Sequence, residues 1–269
     1  MAAASLANSS RPLLEVRGLT KHFAGLSAVN DLSFTVAEGE FVGLIGPNGA
    51  GKTTCFNLLT GFLRPTRGSV RFRGVEITGL RPHQITRLGI ARTFQLVRPF
   101  GQLSVLDNVT VPAMMAQQAG RLAGHSPRRV ALDVLDMVGL AHRAHEPAAN
   151  LPHGELKRLE IARALAARPS LLLLDEPFGG LSHDESRALE QLIRELFGQG
   201  GLTVILVEHV LKVLMNLSQR VLVLDYGRLI ASGTPDEVSH DPTVIEAYLG
   251  AAYSGAGPQE DDASPGGNP

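Results

Sequence analysis

Apolar and polar residues alternate along "LLEVRGLTKHF" (13–23) and "AVNDLSFTVAEGEFVGLI" (28–45), the period of two that predicts several half-buried β-strands. "GSVRFRGVEI" (68–77) alternates too, placing Val70, Phe72 and Gly74 inward and Arg71 and Arg73 outward. The arginines of "RPTRGSVRFR" read as a solvated strand face and turn, or as a basic patch. From about Ser104 to Arg168 the period becomes helical, in "SVLDNVTVPAMMAQQ", "SPRRVALDVLDMVGL" and "LPHGELKRLEIARAL". In the last of these Leu156, Leu159, Ala162 and Leu165 form one stripe, with Lys157, Arg158, Glu160 and Arg163 off it.

Two short continuous apolar runs follow, "SLLLLDEP" and "LTVILVEH", of the kind that suits strands buried on both faces of a parallel sheet. Between them "HDESRALEQLIRELFGQG" predicts a helix ended by glycine. "RVLVLDYGRLIASGTP" predicts a hairpin-like pair around Tyr226 and Gly227. The expected fold is α/β: a mixed sheet with an antiparallel β part and a helical subdomain at about 97–168. Small, polar residues 1–12 and the acidic, Gly/Pro-rich 251–269 predict disordered ends around a domain at 13–250.

Composition narrows this picture only slightly. With 44% hydrophobic residues the chain of 269 can bury a substantial core. A net charge of −1 gives no global attraction to nucleic acid or anionic lipid, so no nucleic-acid partner is expected. The single cysteine, Cys55, excludes an internal disulfide framework and suits a reducing compartment. No signal peptide is evident, and no stretch approaches the ~20 apolar residues of a transmembrane helix.

The chemistry begins at "GPNGAGKTT" (Gly46, Pro47, Asn48, Gly49, Ala50, Gly51, Lys52, Thr53, Thr54), which follows a strand and opens a helix. It satisfies the G-x-x-x-x-G-K-[ST] pattern in its required strand–loop–helix context. The glycines let backbone N–H groups turn inward around phosphate oxygens, and the helix N-terminus adds its positive end. Lys52 can reach the β- and γ-phosphates of a nucleotide such as ATP, and Thr53 can ligate Mg²⁺. No His/Cys/Asp cluster has metal-ligand spacing, so Mg²⁺ carried with nucleotide is the only metal expected.

Asp175 and Glu176 stand at the carboxyl end of a buried strand, where ligands bind in open α/β sheets. Adjacent strand residues point to opposite sides, so the two carboxylates can hold different roles. Asp175 is placed for the Mg²⁺ shell, and Glu176 is then free to orient and polarise an attacking water. His209 follows a strand that would emerge at the same sheet edge. Its imidazole could hydrogen-bond a γ-phosphate or position Glu176, whereas His22, His125, His142 and His240 read as solvated.

The P-loop, Gln95 in "ARTFQ", the helix start at "LPHGE", "LLLLDEP" and the post-strand histidine occur in an order that resembles the ATP-binding subunit of ABC transporters. The resemblance covers about 13–250. "KHFAGLSAVNDLSF", "LTGFLRPTRG", "ARTFQLVRPF", "LDYGRLIASGTP" and "VIEAYLG" are similar to the ATPases of branched-chain amino acid importers. The resemblance implies that Phe23 stacks on adenine, that Gln95 touches Mg²⁺ or the water and reports nucleotide state, and that His209 is a switch histidine. It implies that "LPHGE" is the signature, so that Pro152 and Gly154 face the ATP of a second ATPase, either an identical copy or a sister subunit.

A helix end aimed at phosphate needs free N–H groups, which accounts for the missing serine cap at Pro152, while Gly154 lets the backbone come close. Ser182 stands where the family normally carries an aspartate at the dimer seam. The further partners implied are two integral-membrane permease subunits and, indirectly, an external substrate-binding protein. The location implied is peripheral, on the cytoplasmic face of the inner or plasma membrane. ATPases of amide, urea or lipid transporters share the core motifs, and soluble ABC ATPases are a further alternative; the latter usually carry a long coiled-coil insertion or a second ATPase domain.

Overall fold

In the computed structural model, which describes residues 12–95 and 99–254, two sheets enclose the helix that follows the P-loop. The smaller sheet is antiparallel, in the order β2 (Leu26–Val36), β1 (Leu14–Phe23), β4 (Arg67–Phe72), β5 (Val75–Glu76). The alternation expected of these segments holds at Val70 and Phe72, which are buried. Gly74 is not inward: it is exposed at φ +77° in the β4–β5 turn, because the chain has already begun to reverse. The outward arginines of this sheet are paired, Arg71 with Glu76 at 3.2 Å and Arg73 with Glu38 at 2.8 Å, so the face is solvated and charge-balanced.

The larger sheet runs β10 (Arg228–Gly233), β9 (Arg220–Asp225), β3 (Phe41–Ile45), β8 (Thr203–Val207), β7 (Leu171–Asp175), β6 (Ile90–Arg92). Its neighbours are parallel except β10, which turns back on β9 as the expected hairpin. Alternate residues of its strands enter different cores. Leu172, Leu174, Val204 and Leu206 pack with the helices of one face; Leu171, Leu173, Ile205 and Val207 pack with the P-loop helix and the small sheet. Both faces are therefore covered, which is why "LLLLD" and "TVILV" carry no polar alternation.

Helices α1 (Lys52–Leu59) and α2 (Pro82–Leu88) precede β6. Between β6 and β7 lie α3 (Val105–Gln118), α4 (Pro127–Met137) and α5 (His153–Ala166), with two short 3₁₀ turns before α5. Ser104 and Ser126 cap α3 and α4 by accepting from Asp107 N–H and Arg129 N–H. Helix α6 (His183–Gly198) links β7 to β8, α7 (Leu211–Leu217) links β8 to β9, and α8 (Pro235–Ser239) and α9 (Pro242–Ser254) follow β10. Helix α9 runs four residues past the expected boundary at 250, since Ala251 and Ala252 continue a helix-favouring composition. The disorder expected of the extreme ends, 1–11 and 255–269, falls outside the described residues.

The α5 stripe is the main departure from the periodicity. Leu159 and Ala162 are buried, but Leu156 and Leu165 are only partly so, whereas Lys157, Glu160, Ile161, Ala164 and Ala166 are buried. The helix packs against α3, α4 and β6 rather than lying on a surface, so two of its charged residues are enclosed.

Candidate active site

Strand β3 ends at Ile45, and the chain turns through Gly46 (φ +153°), Gly49 (φ +82°) and Gly51 (φ +99°) into α1. The turn is imposed from behind. A Cβ on Gly46 would sit 2.1 Å from the Leu224 carbonyl, and one on Gly51 would sit 2.4 Å from that of Ala28. Gly51 is the α1 N-cap and brings no side-chain acceptor, so the helix opens with its N–H groups uncapped by a side chain. Lys52 is buried and its Nζ donates to the carbonyls of Gly46 (2.6 Å) and Pro47 (2.9 Å). Burial lowers its pKa, and the carboxylates of Glu176 and Asp175 act against that shift.

The loop borders a cavity of about 330 Å³. It is lined by residues 48–54, by Gln95, Glu176 and His209, and by Leu26 to Ala28 with Tyr226. Glu176 leaves β7 with φ +47°, a left-handed conformation rare for a glutamate and of the kind stored at functional sites. Both of its oxygens are engaged: the Gln95 amide Nε2 donates to Oε2 at 2.7 Å, and His209 Nε2 lies 2.8 Å from Oε1. His209 thus lies against Glu176, one of the two places expected for it. Each carboxylate oxygen keeps a second acceptor direction, so a water could still donate to it.

Asp175 ends β7 on the side of the sheet that faces α1, and its Oδ2 accepts from Arg92 Nη2 at 2.6 Å. Both side chains are buried, 4% and 6% exposed. Arg92 also donates to Asn57 Oδ1 on α1 at 2.7 Å and to Oγ1 of its C-cap Thr60 at 3.3 Å, and lies 5.1 Å from the Phe94 ring centroid. It thus ties the P-loop helix, the β7 carboxylate and the segment before Gln95. Nothing in the sequence singles it out, because its partner is 83 positions away.

Helix α5 reaches the same place from the other side. Lys157, 3% exposed, donates to the backbone carbonyls of Gln95 (3.3 Å) and Glu176 (3.4 Å). Glu160 accepts from the Phe94 N–H, and burial raises its pKa despite that bond and the nearby Lys157 and Arg163. Glu208 is likewise buried, with its pKa raised by desolvation, and accepts from the N–H groups of Phe178 (2.9 Å) and His209 (2.9 Å). These three charged groups fix the backbone from which Gln95, Glu176 and His209 project. Cys55, fully buried in α1, has its thiol pushed up by burial to about 12 and is chemically quiet.

The remaining expected positions lie outside the cavity wall. Phe23 ends β1, paired with Leu26, with the Lys21 ammonium 5.1 Å from its ring; its neighbours Leu26 to Ala28 line the cavity and it does not. Pro152 is the α5 N-cap and makes no side-chain cap bond, leaving the helix end open. A Cβ on Gly154 would lie 2.4 Å from Glu185 Oε1, the end of a side chain that would have to move aside. Glu155, in the first turn, is paired with Arg143 at 3.3 Å, which offsets its charge near that helix end. Ser182 caps α6 in a reciprocal box with Glu185, a task its hydroxyl performs well, so the departure there is a helix start.

The residues present suit a nucleoside triphosphate with a hard cation. An open helix end, a buried ammonium and a loop with clear space at Gly49 suit a polyphosphate. The Thr53 hydroxyl, the Gln95 amide oxygen and the Asp175 carboxylate are oxygen donors of the type Mg²⁺ takes. Such a fold and loop define a P-loop nucleotide-binding protein.

The comparisons with known proteins refine that class. Residues 29–179 match the family model described as "ABC transporter", and 228–254 match "Branched-chain amino acid ATP-binding cassette transporter". The high-affinity branched-chain amino acid transport ATP-binding protein LivG of Salmonella typhimurium strain LT2 is 44% identical over 254 residues, covering 90% of this chain and 100% of the relative. The ADP conformation of MJ1267, an ATP-binding cassette of an ABC transporter, superposes with TM-score 0.79 at 30% identity, covering 90% of this chain and 100% of that one. The dimeric structure of the bacterial ABC transporter cassette MJ0796 gives TM-score 0.72 at 27% identity, covering 82% and 98%. The chain belongs to the ATP-binding cassette ATPases of the ABC transporter family. Among the described residues, no helix is long and apolar enough to cross a membrane.

Proposed function

We propose that this chain hydrolyses ATP to energise an importer of amino acids, with branched-chain amino acids as the substrate class. The observation that carries the chemistry is the Glu176 carboxylate held between Gln95 and His209 at the wall of the P-loop cavity. Lys52 and the α1 N-terminus bind the phosphates. Gln95 and His209, donating to Glu176, aim its carboxylate at the water that attacks the γ-phosphorus. Glu176 accepts that water's proton as the new P–O bond forms and the bond to the ADP oxygen breaks; the proton then passes to the released phosphate. Thr53, Asp175 and Gln95 would hold Mg²⁺, which supplies charge neutralisation on the β- and γ-oxygens when bound.

The open α5 end at Pro152 and Gly154 would face the ATP of a second cassette, identical or a sister subunit, giving a two-ATP sandwich. Closure of that pair would drive two permease subunits at the cytoplasmic face of the inner or plasma membrane, which receive substrate from an external binding protein. The substrate class is supported by the 228–254 match and by identity to LivG along nearly the whole chain. Gentle extraction of membranes from cells expressing the tagged chain should recover polytopic membrane proteins with it, identified by mass. Recovery of soluble partners or ribosomes alone would contradict the transport role.

A further inference from the structure

The parallel pairing of β7 with β8 runs as far as Asp175 and Val207, and its last rung is the Glu176 N–H donating to the Val207 carbonyl at 2.9 Å. Pro177 follows and has no N–H to offer. The next amides of both segments then turn to one side chain. Glu208 Oε1 accepts from the Phe178 N–H at 2.9 Å, and Oε2 accepts from the N–H groups of His209 at 2.9 Å and Val210 at 3.4 Å. One oxygen thus serves the segment that carries Glu176, and the other serves the segment that carries His209.

The residue type suits that task. A hydroxyl or amide side chain offers a single acceptor atom, whereas a carboxylate presents one acceptor to each segment. Glu208 is 4% exposed and desolvation raises its pKa, so the fold retains this carboxylate against a cost. What the bridge holds together is the 2.8 Å contact between His209 Nε2 and Glu176 Oε1. The imidazole is 48% exposed, so packing does little to fix it and its place is set from its own backbone.

We propose that Glu208 is a positioning residue of the hydrolytic site: by bridging the two segments it sets the reach of His209 to Glu176, without lining the cavity itself. The inference rests on reading Glu176 and His209 as the hydrolytic pair. A misplacement of about 1 Å in such a site costs on the order of 10²-fold in rate, so loosening the bridge acts on turnover and not on nucleotide binding.

Glu208→Gln keeps the shape of the side chain but puts an NH₂ group, a donor, against the amides of one segment. Single-turnover phosphate release, with the chain in excess over MgATP, reads the rate constant per bound nucleotide and resolves slow variants. That rate is expected to fall roughly ten- to hundredfold, with the calorimetric Kd for MgATP within about twofold of the parent. In a His209→Ala background the contact is already gone, and Glu208→Gln should cost less than about a further twofold. Losses that multiply across the two substitutions, an unchanged rate in Glu208→Gln, or weaker MgATP binding at an unchanged rate would overturn the assignment. Should Glu208→Gln yield no folded chain, the same readings are taken on Glu208→Asp, whose carboxylate is one carbon too short to span both segments. A parent chain that binds MgATP but releases no phosphate would remove the hydrolytic reading, and this inference with it.

Discussion

Glu176→Gln is expected to keep MgATP binding near that of the parent while lowering turnover by about 10²–10⁴-fold, the range a positioned general base contributes. The substitution is close to isosteric, and an amide at this position can still meet Gln95 and His209, which hold Oε2 and Oε1 at 2.7 and 2.8 Å. What it loses is basicity. Bound nucleotide should then persist, and paired cassettes should accumulate in size-exclusion chromatography with MgATP. Steady-state phosphate release checks the first effect. Turnover within threefold of the parent would remove Glu176 from the role of base and leave the P-loop reading intact.

Replacing Arg92 by methionine should destabilise the fold by about 3–5 kcal/mol, because it strands a buried carboxylate without its cation. Asp175 has 4% of its side chain exposed and its Oδ2 rests on Arg92 at 2.6 Å, so solvent cannot take the lost partner's place. For a chain of this size that corresponds to a Tm lower by roughly 6–20 °C. The double variant Arg92→Met/Asp175→Leu should regain most of the loss, since an apolar pair of similar volume replaces the ion pair. Scanning calorimetry on the two variants decides it. A single variant within about 1 kcal/mol of the parent would contradict the account of Arg92 as the counter-charge to Asp175.

The parts of this fold legible in sequence are those with local physical causes. "LLLLD" and "TVILV" could be read as buried parallel strands because both sheet faces are covered, which removes polar alternation. The P-loop could be read because its glycines are demanded by backbone geometry within nine residues, at Gly46, Gly49 and Gly51. Ser182 shows the opposite case. Judged against a resemblance it was a missing aspartate, whereas its hydroxyl accepts from Glu185 N–H and starts α6.

What escaped the sequence depends on tertiary enclosure. β6 is three residues long, too short for any period to declare it, yet it carries Arg92 to Asp175. Lys157 and Glu160 looked like the wet face of an amphipathic helix. They are buried because backbone groups at Gln95, Glu176 and Phe94, far away in the chain, offer them partners. Gly154, expected to admit a phosphate, also leaves room for the Glu185 carboxylate beside it.

Uptake of labelled leucine in cells lacking the endogenous gene tests the account most directly, because it joins this cavity's chemistry to transport. Uptake should fall on deletion, return with the parent chain, and not return with Glu176→Gln expressed at the same level and present at the membrane. Undiminished uptake on deletion, or full rescue by Glu176→Gln, would contradict the claim that ATP hydrolysis at this site energises amino acid import.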